Sequence, residues 1–359
     1  MTTWLRRPRA AYLAVMMIAT AIVPASAQTG GKWTKAAPLP EAALELYAAA
    51  VGTKMYVFGG IEPNGVVPSG LVYEYDSATD QWTKKKTMVL PSHHNAVTAL
   101  NGRIYLFGGF AASSTDKPGW LPIANSWEYD PTNDSWKALA PMPTPRGAAL
   151  AVALDGKIYV LGGEGMHPGD QPKPLWFVGA AHRSLNTVEE YDPATNTWTT
   201  RSTMPTPRNH VAGGAVNGKI YVVGGRVGSV FVGSSDNLDL VEVYDPVTDK
   251  WGASLNRMPD ARSGAGWGVY NGKIYVVGGE FSDNRMRGAF KALEAYDPAS
   301  NSWDILQSLR FPRHSAGTAF IGNKLHVVGG DLQSSDQYGP PTITMTTSHD
   351  VFEVTDGEK

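Results

Sequence analysis

Short apolar runs recur along the chain, and each ends on a pair of glycines. The runs are MYVF before Gly59-Gly60, IYLF before Gly108-Gly109, IYVL before Gly162-Gly163, IYVV before Gly224-Gly225, IYVV before Gly278-Gly279 and LHVV before Gly329-Gly330. They are short, β-branched and aromatic, which predicts buried strands. A double glycine at a strand end lets the backbone leave at unusual angles, or lets a neighbouring segment come close.

Polar marks share the same period. Tyr-Asp occurs at Tyr75-Asp76, Tyr129-Asp130, Tyr191-Asp192, Tyr244-Asp245 and Tyr296-Asp297, and seven residues after each Tyr stands a Trp: Trp82, Trp136, Trp198, Trp251 and Trp303. Turn-forming segments such as Asp-Pro-Ala-Thr-Asn lie between, so each pair of marks sits on two short antiparallel strands. Arg146, Arg208, Arg262 and Arg313 each precede the first Gly of the next pair by 16 residues, and Ser92 and Ala43 hold that place in the other two repeats.

The order of these marks resembles the Kelch repeat, over nearly all of the chain after residue 28. The resemblance implies an all-β fold, a six-bladed Kelch β-propeller in which each blade is a four-stranded antiparallel sheet. We label the strands A to D from the axis outward. Strand A follows the Arg place, B is the run before Gly-Gly, C ends at Tyr-Asp and D carries the Trp. The sixth repeat has Phe352 in the Tyr place and no Trp beyond it, whereas Gly31-Lys32-Trp33-Thr34 reads as a strand D without a repeat of its own. The N-terminal strand is therefore expected to complete the last blade and remove an exposed sheet edge. Trp33 should then bury most of its ring, so that Trp33→Ala costs roughly 3–5 kcal/mol.

Spacing locates the variable surface. Tyr to Trp is always 7, but the second Gly to Tyr or Phe runs from 15 to 28 residues. Apart from one extra residue between Trp251 and Arg262, the length variation thus falls in the B–C loops, which share one face with the D–A connections. The A–B connections on the other face are minimal hairpin turns: Asn101-Gly102, Asp155-Gly156, Asn217-Gly218 and Asn271-Gly272. Long loops on a rigid scaffold carry function, so the B–C/D–A face is the expected binding surface.

Two rings of residues are expected near its axial opening. One follows each Gly-Gly: Ile61, Phe110, Glu164, Arg226, Glu280 and Asp331. The other is the strand-A set Arg146, Arg208, Arg262 and Arg313, with His93, His94, His210 and His314 within two residues of the same place. Guanidinium groups can bond both oxygens of a carboxylate, so the mixture suits a polar or anionic ligand. Because the arginine belongs to the repeat, a structural ion pair is the competing role. The candidate ligand-binding residues are accordingly Arg146, Arg208, Arg262, Arg313, Glu164, Arg226, Asp331, His94, His210 and His314. Trp176 of the longest B–C loop joins them as a stacking platform. The four histidines come from only three blades and lack carboxylates at matched positions, so no metal is expected, and no cofactor.

Composition narrows the function. Lys plus Arg is 31 against 33 Asp plus Glu, without the basic excess that phosphate neutralisation needs, so nucleic acid is not an expected partner. The chain has no Cys, which excludes disulfides and the Tyr–Cys radical cofactor of Kelch-bladed copper oxidases similar to galactose oxidase. A second resemblance is to exported sialic acid epimerases (mutarotases), which place a Glu just after a Gly-Gly and an Arg six residues on. Glu280 matches the first, while Arg285 and Arg287 lie five and seven residues on and miss the spacing. That resemblance implies an alternative in which Glu280 shuttles a proton and Arg285 or Arg287 clamps a carboxylate. The main expectation is a monomeric, non-enzymatic scaffold that recognises a protein or glycan.

The first residues address the compartment. Arg6, Arg7 and Arg9 precede an apolar run at 10–23, and Ala25-Ser26-Ala27 supplies a small-x-small cleavage pattern. The run is short for a membrane span. The expected division is a signal peptide at 1–27 and a propeller at 28–359, secreted or periplasmic, with no membrane association after cleavage.

Overall fold

The computed structural model describes residues 30–62, 67–113, 120–166, 182–229, 234–282, 287–333 and 343–355. Residues 1–29, which include the expected signal peptide, lie outside the described residues, as do Trp176, Arg285 and the side chain of Arg287.

Six four-stranded antiparallel sheets are present among the described residues. In the order A to D, blade 1 is Leu46–Val51, Lys54–Ile61, Pro68–Asp76 and Gln81–Lys84, and blade 2 is Ala96–Leu100, Arg103–Phe107, Ser126–Asp130 and Ser135–Ala138. Blade 3 is Leu150–Leu154, Lys157–Leu161, Val188–Asp192 and Thr197–Arg201, and blade 4 is Ala212–Val216, Lys219–Val223, Val241–Asp245 and Lys250–Trp251. Blade 5 is Gly266–Tyr270, Lys273–Val277, Leu293–Asp297 and Ser302–Leu306. Blade 6 takes strands A to C from Gly317–Ile321, Lys324–Val328 and His349–Val354, and its strand D is the N-terminal Gly31–Lys35. Strand A of blade 6 touches those of blades 5 and 1, so the inner strands form a closed circle.

The apolar core is divided among the seams between blades. Tyr105 and Phe107 of blade 2 pack with Ile158, Val160 and Tyr191 of blade 3, and each other seam holds an equivalent cluster from its two blades. The first glycine of each pair explains itself here. A Cβ at Gly108 would sit 2.2 Å from the carbonyl oxygen of Arg146, and one at Gly278 2.2 Å from that of Arg313. In both cases the next blade enters strand A against the glycine, leaving no room for a side chain.

The outer rim is tied by a repeated clasp. Each Trp lies across from its Tyr, with Tyr129 and Trp136 centroids 4.8 Å apart. The residue five after Tyr adopts a left-handed φ (Asp80 56°, Asp134 46°, Asn196 55°, Asp249 53°, Asn301 51°). Its Oδ1 accepts the Tyr hydroxyl, and it also accepts a backbone N–H just beyond strand D of the preceding blade. The carbonyl of that same backbone residue accepts the indole N–H: Trp82 to Ala37, Trp136 to Lys86, Trp198 to Ala140, Trp251 to Ser202 and Trp303 to Asn256. The sixth indole, Trp33, reaches Gln307 at 2.7 Å and completes the circuit.

The expected closure is seen directly. Gly31–Lys35 pairs antiparallel with His349–Val354, with Trp33 opposite Phe352. Trp33 is only half-buried, however, like the other five rim tryptophans. Its polar edge must stay beside the Gln307 carbonyl at the surface. The cost of Trp33→Ala should therefore fall at or below the low end of the range, about 3 kcal/mol. In urea denaturation, Trp136→Phe, which keeps the ring and loses the donor, should cost about 1 kcal/mol with an unchanged m-value.

Candidate functional site

The residue two after the Arg place has a left-handed φ in every blade: Glu45 56°, His94 56°, Ala148 53°, His210 53°, Gly264 59° and Ser315 54°. This bend lets backbone bonds run round the axis, from Ala148 N to His94 O (2.9 Å), His210 N to Ala148 O (3.0 Å), Gly264 N to His210 O (3.1 Å) and Ser315 N to Gly264 O (3.1 Å). Leu46 N to Ser315 O (3.1 Å) carries the ring across the last seam. The side chains of these positions gather at one end of the axis, on the D–A side.

The strand-A arginines do not face that opening. Arg146, Arg208 and Arg262 are among the most buried side chains of the molecule, and Arg313 is buried with them. Each bonds a carboxylate two residues before the Tyr or Phe of its own blade: Arg146 to Glu189 (2.6 Å), Arg208 to Glu242 (2.8 Å), Arg262 to Glu294 (2.8 Å) and Arg313 to Asp350. Further donors reach strand-end carbonyls such as Val160 and Val222, while the buried Nε of Arg146, Arg208 and Arg262 has no hydrogen-bond partner. These four are thus struts inside a blade, and the expectation that they clamp a ligand is corrected: their guanidinium groups have neither solvent contact nor unspent charge. Where the repeat lacks Arg, it also lacks the acid, since Tyr73 and Trp127 stand in those places of blades 1 and 2.

Other predicted residues do converge, but as a buried plug. Arg226 donates to Glu280 (2.6 Å) and approaches His210 Nε2 (3.1 Å). His314 Nε2 lies 3.7 Å from the other oxygen of Glu280, and His94 Nε2 lies 3.1 Å from Glu45. The imidazoles do have carboxylate neighbours, contrary to the sequence expectation. One of these, Glu45, was overlooked because no repeat mark falls on it. Its signal was its offset, two residues past the Arg place. His210 Nδ1 contacts Asn209 Oδ1 at 2.5 Å, so Nδ1 carries the proton and Nε2 accepts from Arg226. Phe110, Trp120 and His93 close one side, with the His93 and Trp120 rings 4.3 Å apart. Among the described residues no group of three or more His, Asp or Glu has the arrangement of a metal site.

Three ring members remain. Asp331 is buried and its Oδ1 accepts the backbone N–H groups of Gln333 and Thr344, which makes it a loop organiser rather than a ligand contact. Ile61 packs with Leu44 and Phe110 in an apolar patch. Glu164 is buried and its backbone pairs both ways with Gly147.

A crown of B–C hairpins roofs the plug. Trp120–Pro122 pairs with Phe110–Ala112, His182–Ser184 with Glu164–Met166, Ser234–Asn237 with Arg226–Ser229 and Arg287–Ala289 with Glu280–Ser282. Neighbouring hairpins are stitched by Ser184 Oγ to Gly228 O (3.3 Å) and Asn237 Nδ2 to Glu280 O (2.7 Å). Beneath the plug lies an axial cavity of about 330 Å³, walled by strand A of all six blades with Ala48, Ala99, Ala153 and Gly214 among its lining, and ended by Tyr47, His210 and Ser315.

Burial sets the electrostatics. It raises Glu45 to about 7, with Glu280 adding and His314, Ser315 and Arg226 opposing. It holds His94 and His210 well below the usual imidazole range, with neighbouring cations reinforcing it. The plug is therefore built from one ion pair, a carboxyl whose titration is moved up to about 7, and, in His94 and His210, imidazoles that burial keeps neutral.

This is a closed propeller, with an axis plugged at one end and one elaborated face. The Kelch family description (KLHDC2/KLHL20/DRC7 Kelch-repeats domain) matches residues 27–200 and 175–330, and the chain belongs to the Kelch-repeat family. It is similar to Kelch-like protein terF of Aspergillus terreus, 28% identical over 330 residues, covering 88% of this chain and 68% of that protein. Kelch-like protein 23 of Homo sapiens is 27% identical over 81% of this chain, which spans only 46% of that relative. The solved structure of YjhT superposes with a TM-score of 0.69 at 17% identity, over 89% of this chain and 97% of its own.

Two outcomes follow. Arg146→Ala strands a buried Glu189 and should destabilise by about 3–5 kcal/mol, whereas Arg146→Met with Glu189→Leu should fall within about 1–2 kcal/mol of wild type in denaturant titrations. For Glu45, the folded value lies above the ordinary 4.5, so its stabilising contribution is complete below pH 4.5 and is lost as pH rises through 7. Glu45→Gln removes that titration while the histidine contributions cancel in the comparison. Measured against wild type between pH 4.5 and 7, the variant should gain stability, by at most about 1.4 kcal/mol per pH unit.

Proposed function

We propose that the protein is an exported, non-enzymatic binding propeller that receives a protein ligand on its B–C/D–A face. The carrying observation is that the chemistry-bearing side chains at the axis are engaged with one another. Glu280, the one candidate proton shuttle, is buried and held by Arg226 at 2.6 Å. A buried carboxylate in such a pair is poorly placed to trade protons with a substrate. The plug instead rigidifies the base of the crown, and the crown's variable loops are left to make the contacts. The Kelch-like relatives support a scaffold role, and the leader pattern supports export.

Two measurements test this. With sialic acid, uronic acids and neutral sugars, anomer exchange followed by NMR should proceed at its uncatalysed rate. Acceleration that vanishes in Glu280→Gln would overturn the reading in favour of a sugar epimerase. In envelope extracts of the host, a photo-cross-linker at Val89, exposed on a D–A connection, should trap a protein that one at Val247, exposed on the opposite C–D face, does not. Equal trapping from both sites would refute the choice of face.

A further inference from the structure

One seam departs from the other five. The middle of strand B carries Tyr56, Tyr105, Tyr159, Tyr221 and Tyr275 in blades 1 to 5, but His326 in blade 6. Three residues before the strand-C Tyr stand Val72, Ser126, Val188, Val241 and Leu293, but His349 in blade 6. Both histidines are buried, and they face blade 1 across the seam that the N-terminal strand closes. His326 Nδ1 lies 2.8 Å from His349 Nε2, and His349 Nδ1 lies 3.0 Å from the carbonyl oxygen of Ala37. Ala37 is the clasp residue of this seam: its N–H donates to Asp80 and its carbonyl also accepts Trp82 Nε1 at 2.8 Å. The Tyr75 ring rests on both imidazoles, at 5.4 Å and 4.5 Å.

The bonding fixes the protons. A carbonyl only accepts, so His349 carries its proton on Nδ1, and its Nε2 accepts from His326 Nδ1–H. His326 Nε2 then holds a buried lone pair with no hydrogen-bond partner. The charged and titratable groups around the pair are Tyr75 and Asp80 of blade 1, and Lys324, Asp350 and Arg313 of blade 6. Both carboxylates are already engaged, Asp80 by Tyr75 and the Ala37 N–H, Asp350 by Arg313. Burial, with each imidazole opposing charge on the other at His326, holds His326 to about 3, and burial holds His349 to about 4.

We infer that His326 and His349 form an acid-released latch on the ring: protonating both replaces their mutual hydrogen bond with two like charges in one buried pocket, which opens the blade 6–blade 1 seam before any other and frees the N-terminal strand. A single added proton can still be held between His349 Nε2 and His326 Nδ1, 2.8 Å apart, but it leaves a buried cation. A proton on His326 Nε2 creates a buried cation without an acceptor, and two protons place like charges in one pocket. Because both folded values are depressed, the stabilisation is complete above the free imidazole's 6.5 and is lost as pH falls below it. Each histidine can raise the open population up to about tenfold per pH unit, and the pair up to about a hundredfold.

Hydrogen exchange on the mature protein between pH 7 and 4.5 tests this, with protection factors corrected for intrinsic rates. Protection in Gly31–Lys35 should fall by more than about tenfold per pH unit below pH 6, while Lys157–Leu161 of blade 3 changes little. His326→Tyr and His349→Val, which install residues that other blades carry, should each reduce that slope, and together remove it. Simultaneous loss of protection in both segments, or an undiminished slope in the double variant, overturns the latch. Should the double variant not fold, the His326 ring proton is followed by NMR in the wild type. Titration together with loss of Gly31–Lys35 protection supports the latch, and titration with that strand still protected overturns it.

Discussion

No blade of this molecule owns its core. Each apolar cluster is shared by two neighbouring sheets, so a sheet outside the ring would expose both of its apolar faces. Closure is the constraint from which the rest follows. An open row of six sheets would leave two terminal faces and two terminal clasps unmade, and the N-terminal strand removes that state by joining the two ends of the chain in one sheet. The ring is held at two radii. At the axis, left-handed residues carry backbone hydrogen bonds from blade to blade. At the rim, an indole N–H and a turn carboxylate or amide grip one peptide of the preceding blade.

Charged side chains fill the space between these two rings, and their pairing decides their role. An Arg–carboxylate strut joins the entry to strand A with strand C within four blades, where burial would be costly without a partner. The plug obeys the same rule with different means: one ion pair, one carboxyl whose titration burial raises to about 7, and an imidazole, His210, whose tautomer its neighbours set. Such a closed polar network stiffens the base on which the crown hairpins stand, and a rigid base is what allows variable loops to present a defined surface.

Much of this architecture was legible in the sequence because repetition multiplies weak signals. A single Tyr-Asp or Gly-Gly means little, but their constant spacing fixed strands, turns and the strand that closes the ring. The type of each arginine was visible and its direction was not. The same guanidinium serves a ligand or a strut, and the deciding signal was the joint absence of Arg and acid in the blades with Ser92 and Ala43. Glu45 went unseen because its position is defined by a backbone angle rather than a residue type. The half-exposure of Trp33 followed from its hydrogen bond to Gln307, a tertiary contact that no local pattern encodes. The departure of His326 from the Tyr of its repeat was in plain view, yet only the fold showed that it meets His349 at the closing seam.

Calorimetry on a chain that lacks residues 1–36, alone and with a peptide spanning 28–38, tests the closure account most directly. If the ring depends on the N-terminal strand, the truncated chain should lose the single cooperative transition of the whole propeller, and the peptide should restore it in a concentration-dependent way. A truncated chain that melts as one unit near the wild-type temperature, indifferent to the peptide, would contradict the account.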